Sequence, residues 1–432
     1  MSGFGYQNGV LNADDVPLPE IAAAAGTPTY VYAASVLEAN YRAYADAFDG
    51  QAVGIHFALK ANPNLAVVAL LGGLGAGADI VSLGEMKRAM AAEIAPARMV
   101  FSGVGKTRHE LTEAALAGIG QINVESEPEL EALNAICLAL GRRQRIALRI
   151  NPDVDAQTHE KISTGKRGDK FGIAYDRALD VYRRATGSAG LIPVGLAVHI
   201  GSQLTDLGPF RRAYAKMADL VRAIRGAGMT VDTIDLGGGI GVTYKDEHPP
   251  SIAHYADVVF ETVGNLGCRL AVEPGRSIVA SAGVLLAQVT YRKSGAAHDI
   301  LILDAGMNDL MRPSMYGAYH PIQVVREPPA NAILAPVDVV GPVCESGDTF
   351  ARGRMLPWIE ANDLVVFGAA GAYGSSMGST YNARPLAAEV LVRDGRFEIV
   401  RPRPAIESLY ANEHIPEWLS QTEAAKPNQR RA

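Results

Sequence analysis

Between residue 52 and about residue 276, short apolar runs of β type alternate with segments of helical periodicity. The runs are AVGIHFALK, DIVSLGE, RMVFSG, QINVES, RIALRIN, GLAVHIG, TIDLGGG and RLAVEPG, eight in all. Between them lie stretches such as KTRHELTEAALAG and EPELEALNAICLALG, where apolar residues recur at helical spacing and a glycine marks the stop. Strands that alternate with helices imply a parallel sheet. Eight such units in this length predict a closed (β/α)8 TIM-type barrel, an α/β fold, rather than an open doubly wound sheet. GLGAGA, Gly73 to Ala78, has the glycine spacing of a dinucleotide fingerprint, but it follows a helix and precedes a strand, the wrong context for one.

Beyond about residue 283 the pattern changes. GVLLAQVTYRK, DILILDAG, APVDVVGPV and DLVVFGAA are separated by turn residues with little helical sequence between them, which predicts a mostly antiparallel β domain. TPTYVYAA is a strand that precedes the barrel and is assigned to the later domain. The expected organisation is an N-terminal segment, 1–35, joining the β domain; a barrel over 36–283; the β domain over 284–420; and a flexible tail over 421–432.

Composition narrows the partners. The formal charge is −6, from 40 Lys and Arg against 46 Asp and Glu, and no basic block stands out before the closing RR, so nucleic acid is not expected. No apolar run is long enough to span a membrane, and the N-terminus lacks the charged and apolar regions of a secretion signal. Cys137, Cys268 and Cys344 fit neither a zinc nor a disulfide pattern, which predicts a reducing, cytoplasmic setting and no metal.

In a (β/α)8 barrel the chemistry sits at the C-terminal ends of the strands. The first run ends in Lys60, followed by ANPN. A lysine there often does no more than reach water. The other strand ends give it company: His199, Gly201 and Ser202 at the sixth, Gly237 to Gly239 at the seventh, and Glu273, Gly275 and Arg276 at the eighth. Phosphate sites in this fold usually follow the seventh and eighth strands, and glycines with an arginine are what a phosphate dianion needs. A buried lysine near a phosphorylated aldehyde is the arrangement for a pyridoxal phosphate Schiff base. Glu273 would then keep the pyridine nitrogen protonated, and His199 would lie against the ring. A histidine on an apolar strand and an EPG turn are each commonly structural; their joint placement at one end of a barrel points to a site.

The segments HFALKANPN, VHIGSQ, DLGGGIG, EPGRSIV, MRPSMYGAYH, GPVCESGD and GAYGSSMGSTYNARP occur in this order. Together they resemble the fold-type III, alanine racemase-like pyridoxal phosphate decarboxylases, and among these most the diaminopimelate decarboxylases. The likeness spans nearly the whole chain, with MRPSMYGAYH and GPVCESGD its narrowest motifs. It implies that Lys60 carries pyridoxal 5'-phosphate, that His199 stacks on it, and that Ser202, Gly238, Gly239 and the run Glu273 to Arg276, Gly275 included, hold its phosphate and ring. It implies substrate contacts from Arg276, Arg312, Tyr316 and Glu345, and a contact of Tyr373 with cofactor and substrate. Cys344 is similar to the family's catalytic acid and is implied to come, with Glu345, from the partner subunit of a homodimer with shared active sites. Ser163 to Ile173, STGKRGDKFGI, resembles the family's mobile active-site loop.

The reaction this implies is decarboxylation of meso-2,6-diaminopimelate to L-lysine and CO2, the last step of lysine biosynthesis. A catalytically silent relative would lack the lysine or the cysteine, and both are present. CESGD and RPSMYGAYH argue against a racemase of the same fold type. Ornithine and arginine decarboxylases differ in how the distal end of the substrate is bound.

Overall fold

The computed structural model describes residues 3–156, 164–165 and 169–420. The eight runs form strands at Val53–Ala58, Gly77–Ile80, Met99–Phe101, Gln121–Val124, Gln144–Asn151, Leu191–Ala197, Thr233–Asp235 and Arg269–Val272. Each is parallel to the next. The eighth returns to the first through Leu270–Val53, Ala271–Gly54 and Val272–Ile55, so the sheet is a closed barrel. Several strands are buried at every position, as a parallel sheet covered on both sides requires. The surrounding helices follow the sequence pattern closely. Gly208–Gly226 buries Phe210, Tyr214, Met217, Val221 and Ile224, a stripe repeating every three or four residues. Arg108–Ala117 starts at a capping box made by Thr107 and Glu110 and stops at Gly118 in the left-handed conformation.

The second domain is a mixed β sheet. Its long strand Gly283–Lys293 pairs antiparallel with Asp299–Leu303, Leu364–Phe367 and Thr29–Ala33. Two pairs in this domain run parallel: Thr29–Ala33 with Ala388–Arg393, and Asp299–Leu303 with Ala335–Val340. The first of these joins strands that enclose the whole barrel in sequence, so no hairpin constrains their direction. A small sheet of Phe4–Gln7, Val10–Ala13 and Val16–Pro17, followed by the helix Leu18–Ala25, covers one face, packing Leu11 and Val16 of the sheet and Ile21 of the helix against Val31, Leu286, Val366 and Val390. No helix among the described residues is long and apolar enough to cross a membrane. Most of the Ser163–Ile173 loop is described only at Thr164, Gly165 and from Asp169 on; Ser163, Lys166 to Gly168 and the tail 421–432 lie outside the described residues.

The two domains meet where the barrel opens. The β-domain segment Gly371–Tyr373 lies on the turn that holds Lys60: Tyr373 N–H donates to Ala61 O (2.8 Å), and Asn62 Nδ2 donates to Gly371 O (3.0 Å).

Candidate active site

The sequence LKANPN explains itself locally. The first barrel strand stops at Ala58, and Leu59–Ala61 forms one 3-10 turn that swings Lys60 over the barrel mouth. Pro63 bars the turn from continuing as a helix. Asn62 and Asn64 then shape the exit: Asn62 Oδ1 accepts from Asn64 N–H (3.1 Å), and Asn64 Oδ1 caps the helix Leu65–Gly73 at Ala66 N–H (2.9 Å). Gly275 packs beneath, where a Cβ would lie 3.1 Å from the Cβ atoms of Ala58 and Ala61.

Lys60 Nζ stands 2.9 Å from Asp79 Oδ2, and Asp79 has no exposed side-chain surface. Burial pulls the pKa of this ammonium down; Asp79, then Tyr373 and Glu273, outweigh that and push it above the usual lysine value. The Lys60 side chain still keeps 36% of its surface open, as suits a residue that lines a cavity.

Opposite Lys60, Gly237 and Gly239 take left-handed φ values of 65° and 125°. A Cβ on Gly238 would sit 2.2 Å from Glu273 O, and one on Gly239 would sit 2.5 Å from Gly201 O. Only glycine lets the backbone pass this close. Gly238 N–H also donates to His199 Nδ1 (3.2 Å), which fixes that ring as an Nε2–H tautomer. Burial, Arg149 and Lys60 push its pKa well down, so the ring is neutral.

The barrel interior below is polar. Asn123 Nδ2 donates to Asp235 Oδ2 (2.9 Å) and to Ser102 Oγ (3.1 Å), and Ser102 Oγ donates to Glu273 Oε1 (3.4 Å). Asp235 and Glu273 share a hydrogen bond, which needs a proton on one of them. Burial, then Asp235 and Asp79, push the Glu273 carboxyl well above its usual range, against an opposing pull from Lys60. The proton therefore rests on Glu273.

Two cavities meet at Lys60, Thr164 and His199. The inner one, about 340 Å3, is lined also by Ser102, Asn123, Arg149, Asp235 and Glu273. The outer one, about 330 Å3, is lined also by Ser202, Tyr244, Arg276, Arg312, Tyr316 and Tyr373. Arg276 is 7% exposed and Arg312 6%, yet their hydrogen bonds go to neutral groups. Arg276 Nη1 donates to Tyr244 Oη (2.7 Å), while its Nε and Nη2 reach Ser202 Oγ (3.4 and 3.2 Å). Arg312 Nη1 lies 2.9 Å from His320 Nε2. The Arg312 guanidinium lies 4.5 Å from the Tyr244 ring centre, and the Arg276 guanidinium 4.8 Å from that of Tyr373.

The match to known proteins is extensive. Residues 34–280 match the pyridoxal binding domain of the pyridoxal-dependent decarboxylases. The diaminopimelate decarboxylase of Zymomonas mobilis is 47% identical, covering 97% of this chain and 100% of its own length. The crystal structure of the Helicobacter pylori diaminopimelate decarboxylase complexed with L-lysine superposes with a TM-score of 0.88 at 43% identity, over 92% of this chain and 99% of that one. The M. jannaschii diaminopimelate decarboxylase, in co-complex with L-lysine, gives 0.92 at 36% identity, over 97% and 100%. This chain belongs to the diaminopimelate decarboxylase family.

For a diaminopimelate decarboxylase the barrel mouth has the right donor set. Lys60, His199 and the buried acid Glu273 line one cavity pair, with Ser202 and Arg276 on its outer part and the glycine turn packed directly behind His199 and Glu273, which fits a phosphorylated pyridine aldehyde. Lys60, His199, Ser202, Gly238, Gly239, Glu273, Gly275, Arg276, Arg312, Tyr316 and Tyr373 are gathered here. Cys344 and Glu345 are not: Cys344 is exposed, and neither lines either cavity. Their loop is pinned elsewhere, with Asp348 accepting from Met307 N–H and Val343 N–H (2.6 Å each). Sequence reasoning missed Asp79, Ser102, Asn123, Arg149, Asp235, Tyr244 and His320. Asp79 had a signal, an acid inside the apolar strand Gly77–Ile80; Tyr244 had none, since only folding brings it between the two arginines.

Proposed function

We propose that Lys60 carries pyridoxal 5'-phosphate and that Arg312, with Arg276, clamps the distal carboxylate of the substrate. The reaction is the decarboxylation of meso-2,6-diaminopimelate to L-lysine and CO2, the last step of lysine biosynthesis. One observation carries the choice of substrate: two buried guanidinium groups face the Lys60 cavity, bonded only to neutral partners among the described residues. Buried cations in that state are stabilised when an anion arrives between them.

When bound, pyridoxal phosphate supplies the electron sink that accepts the pair left at Cα as CO2 departs. The chain supplies the rest. The N–H of Gly239, Ser202 and Arg276 would hold the phosphate, while Gly238 N–H stays on His199 and Gly237 N–H on Asp235 Oδ1. Glu273 would face the pyridine nitrogen as the acid–base partner of that atom; burial, Asp235 and Asp79 push its carboxyl well above the usual range, so in the chain by itself it holds its own proton. His199, neutral and fixed by Gly238, offers a flat face to the ring. Arg312 binds the distal carboxylate in a planar fork, and Tyr316 and Tyr373 border the same space. Glu345 of the partner subunit takes the distal ammonium, and Cys344 of the partner subunit returns a proton to Cα. A homodimer follows from this division of labour. The three cysteines are free, which supports a cytoplasmic setting.

Arg312→Ala tests the clamp. It should lower kcat/KM for meso-diaminopimelate by about a hundredfold while leaving the slow reaction of ornithine, which has no distal carboxylate, nearly unchanged. Steady-state kinetics on both substrates check this. An equal loss on both would remove Arg312 from distal recognition.

A further inference from the structure

His320 belongs to the same motif as Arg312, eight residues on, and is 2% exposed. The helix Arg312–Tyr316 ends at Gly317 in the left-handed conformation, which folds the chain back so that the histidine ring meets the guanidinium. Both ring nitrogens are engaged. Nδ1 lies 2.9 Å from Gly368 O, and a carbonyl can only accept, so Nδ1 carries the hydrogen. Nε2 is then the acceptor for Arg312 Nη1 at 2.9 Å. This is the one hydrogen bond that Arg312 makes among the described residues. The histidine backbone is held as well: Arg354 Nη1 donates to His320 O (3.0 Å), and Gly368 N–H donates to Pro321 O (2.8 Å). The Tyr244 ring meets His320 edge-on at 5.4 Å and underlies Arg312.

We propose that His320 is a positioning residue that determines specificity: as a neutral Nδ1–H tautomer it accepts from Arg312 and fixes the direction in which that guanidinium meets the distal carboxylate. The histidine is tied through Gly368 to the end of the β-domain strand Leu364–Phe367, so the clamp is aimed by the sheet rather than by the helix that carries Arg312. Its neutrality has a physical basis. Burial comes first and Arg312 second among the causes that push its pKa down to about 3; Arg276 and Arg354 add to this, and the bond to Gly368 opposes it. A protonated ring would have no lone pair for Arg312 and would set two cations face to face. The inference rests on the reading of Arg312 as the distal clamp.

The test uses the holoenzyme and compares His320→Leu, His320→Gln and Arg312→Ala with the parent. Losing a charge-assisted bond should make His320→Leu raise KM for meso-diaminopimelate about tenfold or more, with kcat within about threefold and cofactor absorbance unchanged. His320→Gln restores an acceptor and should bring KM back to within about threefold of the parent, a rescue that a purely structural role does not predict. In an Arg312→Ala background, His320→Leu should add less than about twofold, because the group it aims is gone. If Arg312→Ala raises KM and His320→Leu does not, the role of His320 is overturned and the clamp stands. If Arg312→Ala leaves KM unchanged, the clamp reading falls and takes this inference with it. Should His320→Leu fail to fold, His320→Gln decides: a KM no better than that of Arg312→Ala contradicts the proposal.

Discussion

Lys60→Ala should lose the cofactor adduct fixed by borohydride and at least about a thousandfold in turnover, some 4 kcal/mol of barrier. Among the described residues, Lys60 is the one lysine that lines either cavity. Removing it also leaves Asp79 fully buried without its ion-pair partner, so part of the loss reflects a disturbed barrel mouth. Lys60→Arg separates the two effects. It keeps a cation for Asp79 but no nucleophile, and should fold normally while still forming no adduct. Mass spectrometry of the peptide holding Lys60, after borohydride reduction, reads the result directly. An adduct at full occupancy in either variant would move the attachment to another residue.

A mixture of Lys60→Ala and Cys344→Ala chains, each inactive alone, should regain about a quarter of the parent activity after subunit exchange. Random pairing makes half of the dimers mixed, and each mixed dimer holds one intact site of two. The expectation comes from where the residues lie. Cys344 is exposed and lines neither cavity, whereas Lys60 faces both. A closed two-fold dimer is the simplest arrangement that lets the exposed loop of one chain reach the barrel of another. Absence of recovery, with exchange proven by mixed-tag pull-down, would put a complete site within one chain and require another proton donor.

The sequence made the barrel legible because its signal is local and repeated: each strand is an apolar run, each helix a periodic one, and eight repeats leave little choice of topology. Lys60, His199, the glycines and Glu273 were legible for the same reason, since barrel geometry brings strand ends together whatever the loops do. The parallel pairs of the β domain were not. Thr29–Ala33 and Ala388–Arg393 are separated by the whole barrel, and no turn chemistry reports which way they align. The polar floor was hidden too. Asn123 and Asp235 are 112 residues apart, and their hydrogen bond exists only because the fourth and seventh strands face one another across the barrel. His320 stood inside a recognised motif, but nothing in MRPSMYGAYH says that its ring is anchored to Gly368, 48 residues on.

The reaction itself is read by product analysis. Purified protein supplied with pyridoxal phosphate should release CO2 from meso-diaminopimelate and form L-lysine in equal amount. Ornithine, arginine and lysine should react at least about a thousandfold less efficiently, since each leaves a buried guanidinium without its carboxylate. Comparable kcat/KM values for ornithine and meso-diaminopimelate, or release of CO2 without L-lysine, would rule this reaction out.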